Sequence, residues 1–315
     1  MPQTTAHHKN ATVALWLCAF IWGTTFLFQK TAMDHVPPLL FNTLRFAFSI
    51  LTLMLLIMWR RSRQAHAGPW LTRDEVIYGS LLGAILCTGI TLQQIGIKHT
   101  TTSNASFITG LYVVLVPFFT RMVFGVRLHA WQLAMSMLAA VGLFFLSSKG
   151  DGLAISSGDT WVLVSAFVWS AHVGLMNHFG NKGRALQITL AQMFVCFVIS
   201  AILTSVIDPV TPIANIKPAL FSLIYAGVLS GGIAFMLQVY GQRTVSPNVA
   251  AIILSLESVF GAMAGWYVLN DPLNARNVLG ATLMMTAIIA VQFTETFERW
   301  FKKIFRPRKP WQAVH

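Results

Sequence analysis

The sequence predicts an all-α polytopic membrane protein of ten transmembrane helices, arranged as two inverted five-helix repeats. Three observations carry that prediction: apolar runs of membrane-spanning length, charge confined to the gaps between them, and segments that recur half a chain apart. The chain is 55% hydrophobic and 10% charged, with a mean hydropathy of +0.64, whereas soluble domains carry about 25% charged residues. In lipid only helices and closed barrels satisfy every backbone polar group. Barrel strands would run about ten residues with alternating polarity, and these runs are longer and do not alternate.

Composition also excludes some functions. A net charge of +12 invites a nucleic-acid reading, but a basic stripe needs a soluble domain to carry it and none fits, so no nucleic-acid partner is expected. Cys18, Cys87 and Cys196 all fall inside apolar runs, are odd in number and lack CxxC spacing. They read as small packing residues, not as a disulfide or metal framework. No Walker pattern, paired metal-ligand set or nucleophile elbow occurs, so no cofactor, metal or catalytic residue is expected. ATP-driven transport would need a partner subunit.

In chain order, the expected spans are Ala11–Ala32, Pro37–Trp59, Glu75–Ile97, Asn104–Phe124, His129–Ser147, Thr160–Gly180, Ala185–Ile207, Lys217–Arg243, Ser246–Leu269 and Leu273–Phe293. The first could pass for a signal peptide, but its apolar part is too long and no small-residue cleavage site follows. A Gly/Ser/Asp connection, Lys149–Asp159, divides the first repeat (1–148) from the second (149–297). Residues 298–315 form a basic tail with Trp300, Phe301 and Trp311, suited to an anionic leaflet. Gly79xxxGly83, Gly227xxxGly231 and Gly261xxxGly265 are small-residue pairs that let helices approach closely.

Orientation follows from the short loops, where Lys and Arg favour the cytoplasm. With a cytoplasmic N-terminus, sixteen basic residues lie inside, among them Arg60, Arg61, Arg63, Arg127, Arg184 and Arg243. Five lie outside: Lys30, Lys98, Lys149, Lys217 and Arg276. Both termini are then cytoplasmic, which requires an even number of spans.

The repeat is visible residue by residue. Ala19–Trp22 is echoed by Ala166–Trp169 at an offset of 147, and Gln94–Asn104 by Gln238–Asn248 at an offset of 144. Five spans per half is an odd number, so the second copy sits upside down relative to the first. Inverted repeats are the architecture of many secondary transporters, with the substrate near the midplane between halves that rock. Duplication retained only for packing is the alternative.

Trp22-Gly23-Thr24, Leu44-Arg45-Phe46, Thr100–Tyr112, Leu256–Phe260 and Asn270–Leu273 together resemble the drug/metabolite transporter superfamily, specifically its EamA-type ten-helix members. The resemblance spans both halves. It implies a transporter of small organic metabolites, often an exporter, without naming the cargo. The hydrophobic, aromatic-lined reading of the residues makes amino acids or amphipathic drugs the natural guesses, and a bacterial cytoplasmic (inner) membrane is the expected location. Ser258 stands where the family usually has proline, which removes the expected cause of a helix break at Glu257. Asn270–Leu273 and Gly125–Leu128 depart from the usual Gly-Glu-Arg-Leu turn.

The candidate cavity residues are Trp22, Phe26, Gln94, Tyr112, Trp169, His172, Gln238 and Glu257. Glu257 lies about 16 Å into its span at 1.5 Å per residue, near the midplane of a core about 30 Å thick. Intramembrane carboxylates usually face a wet cavity or a pathway. Glu257 is the candidate coupling residue; it could bind protons, bind a cationic group of the substrate, or pair with Arg45 or a polar neighbour. Arg45, near its span's end, reads as snorkelling to the interface. Trp22, Phe26 and Gln29 share one helix face, as do Trp169, His172 and Met176; cavity lining and plain packing both explain them. Gln94, Gln238, Asn104, Asn248 and Tyr112 fit either a cavity wall or cross-helix hydrogen bonds. A lipid-directed membrane enzyme with His172 or Glu257 as base, and a channel-like facilitator, are the competing functions. Oligomeric state is not legible.

Overall fold

The computed structural model describes residues 2–63, 68–100, 102–147, 156–208, 210–269, 274–291, 293, 294 and 297. The turn at Asn270–Leu273, most of the connection between the halves and the tail 298–315 lie outside the described residues.

Every regular element among them is helical. The first half holds α1 (Pro2–Ala32), α2 (Pro38–Ser62), α3 (Arg73–His99), α4 (Thr102–Gly110), α5 (Tyr112–Phe124) and α6 (Ala130–Ser147). In the second, α7 (Ser157–Gly180) and α8 (Ala185–Ile207) precede a composite rod. That rod comprises α9 (Ile213–Ile216), a 3₁₀ turn (Lys217–Ala219), α10 (Leu220–Ile224), a π-helical stretch (Tyr225–Ala234) and α11 (Phe235–Gln242). Then come α12 (Pro247–Leu254), α13 (Glu257–Leu269) and α14 (Ala275–Val291). Eight helical stretches are long and apolar enough to cross a membrane, and Ala130–Phe145 and Ala275–Val291 are shorter apolar helices. The chain is a multi-pass membrane protein.

Local chemistry explains several starts. Pro38 opens α2, where its fixed φ suits a first turn and its missing N–H costs nothing. Thr72 and Glu75 form a reciprocal capping box at α3, as Ser156 and Asp159 do at α7. Burial is arranged for lipid. Gln94, His172, Gln192, Gln238 and Gln242 are fully buried, while Ile202, Val206 and Phe194 are exposed. Polar groups gather inside the bundle, and aliphatic ones face outward.

Two rods depart from the simple expectation. The ninth span breaks at Ser255-Leu256 although no proline stands at the break. Leu256 N–H donates to Ile253 O (3.1 Å) and Ser258 N–H to Ser255 O (3.1 Å), tightening the turn between ordinary helical bonds. The hydroxyls carry part of this: Ser255 Oγ donates back to Ile252 O, and Ser258 Oγ leaves its own helix to donate to Ser106 O of α4 at 2.9 Å. Serine therefore does here what proline was expected to do. The fourth span has the same tightened turn at Leu111, with Leu111 N–H to Ile108 O at 3.2 Å and Val114 N–H to Leu111 O at 3.0 Å. Leu111 and Ser255 stand 144 positions apart, the offset that relates Gln94 to Gln238.

The other departure is the π-helical stretch. It rests on α2, where Ser49 Oγ donates both to Arg45 O and across to Gly227 O, each at 2.8 Å. A Cβ at Gly227 would meet the Arg45 carbonyl at 2.7 Å, so only glycine permits this approach. The helices of the two halves interlock: α3 packs on α7 and α8, α2 on α8 and the π-helical stretch, and α1 on α11, α12 and α13.

Candidate functional site

The interlocked helices leave a cavity of about 30 Å³ at their common centre, enough for a water or two. One face of α1 supplies Trp22, Thr25, Phe26 and Gln29, spaced as neighbours on a helix should be. Arg45 of α2, Ile90 and Gln93 of α3, Thr109 of α4 and Tyr112 of α5 complete the first half's share. The second half supplies Trp169 and Val173 of α7, Ser230 of the π-helical stretch, Phe235 of α11 and Glu257 of α13.

Glu257 is the first residue of α13, placed at the wall by the break before it, and is 4% exposed. Its Oε1 has no hydrogen-bond partner. The Tyr112 hydroxyl is turned towards the Glu257 carboxyl without reaching hydrogen-bond geometry. Helix α1 comes this close because Gly23 lies on the Glu257 carbonyl; a Cβ there would collide with that oxygen and meet Phe260 Cβ at 2.7 Å.

Arg45 corrects the snorkelling expectation. It is 3% exposed and lines the cavity, because α2 is held between α8 and the π-helical stretch and turns this face inward. Its Nη2 donates to Ser230 Oγ at 3.2 Å, and its guanidinium lies 5.9 Å from the Phe41 ring and 5.7 Å from the Phe46 ring. Its Nε has no partner, and no ion pair joins it to Glu257 among the described residues.

The aromatic pair meets at this centre. Trp22 and Trp169 have ring centroids 5.7 Å apart, and Phe235 sits 4.8 Å from Trp22 and 6.2 Å from Trp169. Trp22 Nε1 donates to Ser230 O at 3.4 Å, while Trp169 Nε1 has no partner.

Of the eight candidate residues, Trp22, Phe26, Tyr112, Trp169 and Glu257 are brought together at the cavity wall. The other three lie behind it. Gln94 accepts from Gln29 Nε2 at 2.7 Å and donates to Met33 Sδ at 3.1 Å, which positions the Gln29 amide at the wall. His172 is paired through Nε2 with Gln192 Oε1 at 3.0 Å and stands edge-on to Trp169, 5.8 Å between centroids. Gln238 is fully buried with neither amide atom partnered. Sequence reasoning missed Gln93, Thr109, Phe235 and Ser230 as wall residues. The polar residues interrupting apolar runs were a usable signal for the first two; Ser230 reaches the wall from a π-helical stretch that no residue pattern announces.

A second, wider cleft of about 310 Å³ opens towards the end of the bundle where α5 and α7 finish and α12 begins. Thr120, Gln132, Asn177, His178 and Asn248 line it, and Asn248 joins Thr120 (3.2 Å) to Gln132 (3.1 Å). At this end Arg184 clamps the buried Glu75 through Nε and Nη2, at 2.7 and 2.8 Å, and through its backbone N–H at 2.8 Å. These hydrogen bonds to Glu75 raise the pKa of Arg184 further. At the opposite end Lys30 Nζ donates to Ile97 O (3.0 Å) and Thr100 O (2.9 Å), and Thr100 Oγ1 to Asp159 Oδ1 (2.5 Å). Asp208, just beyond α8, accepts from Leu40 N–H at 2.8 Å; burial raises its carboxyl pKa against the pull of that amide and of Lys98.

Residues 10–148 and 156–293 each match the EamA-like transporter family. Among curated proteins, the chain is 30% identical over 281 residues to an uncharacterized transporter of Archaeoglobus fulgidus, covering 89% of this chain and 85% of that one. It is 24% identical to the uncharacterized transporter YoaV of Bacillus subtilis, over 87% of this chain and 94% of that one. It is 22% identical to the uncharacterized inner membrane transporter YedA of Escherichia coli K12, over 88% and 89% respectively. A crystal structure matches with a TM-score of 0.72 at 16% identity, covering 89% of this chain and 97% of that one, a likeness of fold. A bundle of apolar helices with buried polar groups at its centre, matched to one family along both halves, identifies the chain as a member of the EamA-like transporter family.

Proposed function

We propose that this chain is a secondary transporter that exports small organic metabolites, such as amino acids or amphipathic drugs, by alternating access. Its two repeats, 1–148 and 149–297, are inverted relative to each other. Ten helices cross a bacterial cytoplasmic membrane, both termini are cytoplasmic, and the basic tail 298–315 lies against the inner leaflet. The observation that carries the reading is Glu257, a buried carboxyl with an unpartnered oxygen on a cavity built by both halves. Isolated intramembrane acids are costly and belong to pathways.

Two features support inversion. The C-terminal ends of α1 and α3 lie with the N-terminal end of α7, through Lys30, Thr100 and Asp159, so α1 and α7 run in opposite directions. The tightened turns at Leu111 and Ser255 recur at the repeat offset and give each half a hinge.

A cavity of about 30 Å³ is too small for an organic cargo, since ligand pockets run to about 300 Å³ or more. Cargo binding therefore requires the helices to part, as rocking repeats do. The wider cleft by Asn248 is the approach from the cytoplasm, and proton binding at Glu257 drives the exchange. Proteoliposomes test this. A labelled amino-acid mixture should show counterflow, saturation and dependence on a pH gradient. Unsaturable conductance would indicate a channel, and an absence of counterflow across the panel would remove the transporter reading.

A further inference from the structure

Arg45 is the group in the cavity whose chemistry is least complete. It is 3% exposed, yet among the described residues no carboxylate pairs with it. Its Nε has no acceptor, and Nη2 is held by a single hydroxyl, that of Ser230. The phenyl faces of Phe41 and Phe46 lie beside it, and they supply no acceptor. A buried guanidinium without a counter-ion is costly enough that structures seldom keep one without use. Removing the charge from water and offering its fork to an empty space is the arrangement expected of a site awaiting an anion. The fork matches a carboxylate in a bidentate geometry that an ammonium-bearing side chain does not reproduce.

We propose that Arg45 binds the carboxylate of the transported molecule, so that the cargo is a carboxylate-bearing metabolite and not a purely cationic amphiphile. This rests on the transporter reading above and narrows its cargo class. The aromatic wall of Trp22, Trp169 and Phe235 then receives the apolar part of the same molecule. Ser230 is a positioning residue: its hydroxyl holds Nη2 and its carbonyl holds the Trp22 indole, so that one residue of the second half sets both groups.

The test is anion-dependent stabilisation of the purified full chain in detergent, at fixed sodium concentration with sodium chloride as reference. Sodium propionate and sodium phenylacetate should raise the unfolding midpoint; propionamide and phenylacetamide should not. Arg45→Gln should weaken the apparent affinity for phenylacetate at least about tenfold, the loss of one charge-assisted contact. Arg45→Lys should weaken it less, and Ser230→Ala, which frees Nη2, should weaken it by a smaller factor than Arg45→Gln. Should Arg45→Gln fail to fold, the comparison of acids with amides in the wild-type chain and in Arg45→Lys decides. Equal stabilisation by acid and amide, unchanged affinity in Arg45→Gln or Arg45→Lys, or stabilisation by chloride alone would each overturn the assignment. Counterflow is read separately. Counterflow without carboxylate-dependent stabilisation removes the role of Arg45 and keeps the transporter, whereas stabilisation without counterflow keeps the anion site and removes the transporter.

Discussion

Lys30 and Asn177 make matching contacts at opposite ends of the bundle. Lys30 Nζ donates to Ile97 O at 3.0 Å where α1 and α3 end, and Asn177 Nδ2 donates to Gln242 O at 2.5 Å where α7 and α11 end. The two residues are 147 positions apart, the offset that also relates Trp22 to Trp169. Each ties the first helix of its half to the unsatisfied carbonyls that close the third rod. One latch is a charged ammonium with a second bond to Thr100 O, and the other is a neutral amide.

Lys30→Met should therefore loosen one end only. Charge-assisted hydrogen bonds contribute about 1.5–3 kcal/mol, so hydrogen exchange at residues 97–100 should quicken about tenfold or more. Asn177→Ala should act at residues 242–245, by a smaller factor. Exchange that rises equally at both ends in either variant would show that the contacts are not local latches.

Gly23→Ala should destabilise the chain out of proportion to one methyl group. Its Cβ would strike the Glu257 carbonyl and Phe260, and both belong to a helix that is already broken at this level. Overpacking of this kind costs about 1–3 kcal/mol, seen as a lower unfolding temperature in detergent. Gly68→Ala, with nothing within 4 Å of the added atom, is the control and should leave the temperature unchanged.

Arg184→Ala should leave Glu75, 1% exposed, without its cation. Breaking a buried pair costs about 3–5 kcal/mol; because Arg184 is 41% exposed, about 2 kcal/mol is the expected loss. Glu75 also keeps its bond from Thr72 N–H at 2.8 Å. Thermal unfolding of Arg184→Ala beside Arg184→Lys measures it, and the lysine variant should recover about half.

Glu257→Gln should abolish the response of transport to a pH gradient while leaving counterflow of labelled cargo measurable. The amide fills the same space and cannot bind a proton at neutral pH. Proteoliposome uptake at imposed gradients reads this directly, and a pH response equal to that of the wild type would remove Glu257 from coupling.

How much was legible in the sequence follows from what membrane burial writes into residues. The rods from Ala11 to Ile207 are plain because an apolar run and its charged ends follow from lipid thickness. The equivalent places of Trp22 and Trp169, 147 positions apart, were legible from the sequence, but that their rings meet at 5.7 Å was not. Arg45 was misread: depth along a span is countable, but the face a helix turns inward depends on its partners. Gln94 and His172 were read as candidate cavity residues, yet they stand behind wall residues, against Gln29 and Trp169. The break before Glu257 was hidden because it is made by serine hydroxyls rather than by proline. The π-helical stretch at Tyr225–Ala234 was hidden because glycine-rich packing against α2, and no local propensity, produces it.

On the proposed mechanism, one cavity shared by both halves opens to each side of the membrane in turn. Thr25→Cys places a thiol on its wall, while the native Cys18, Cys87 and Cys196 are buried and serve as background. A membrane-impermeant maleimide applied to right-side-out and to inside-out vesicles measures access from each face. Labelling of Thr25→Cys from both faces, above the wild-type background, is the predicted result. Labelling from one face alone under every cargo and pH condition, or from neither, would contradict it.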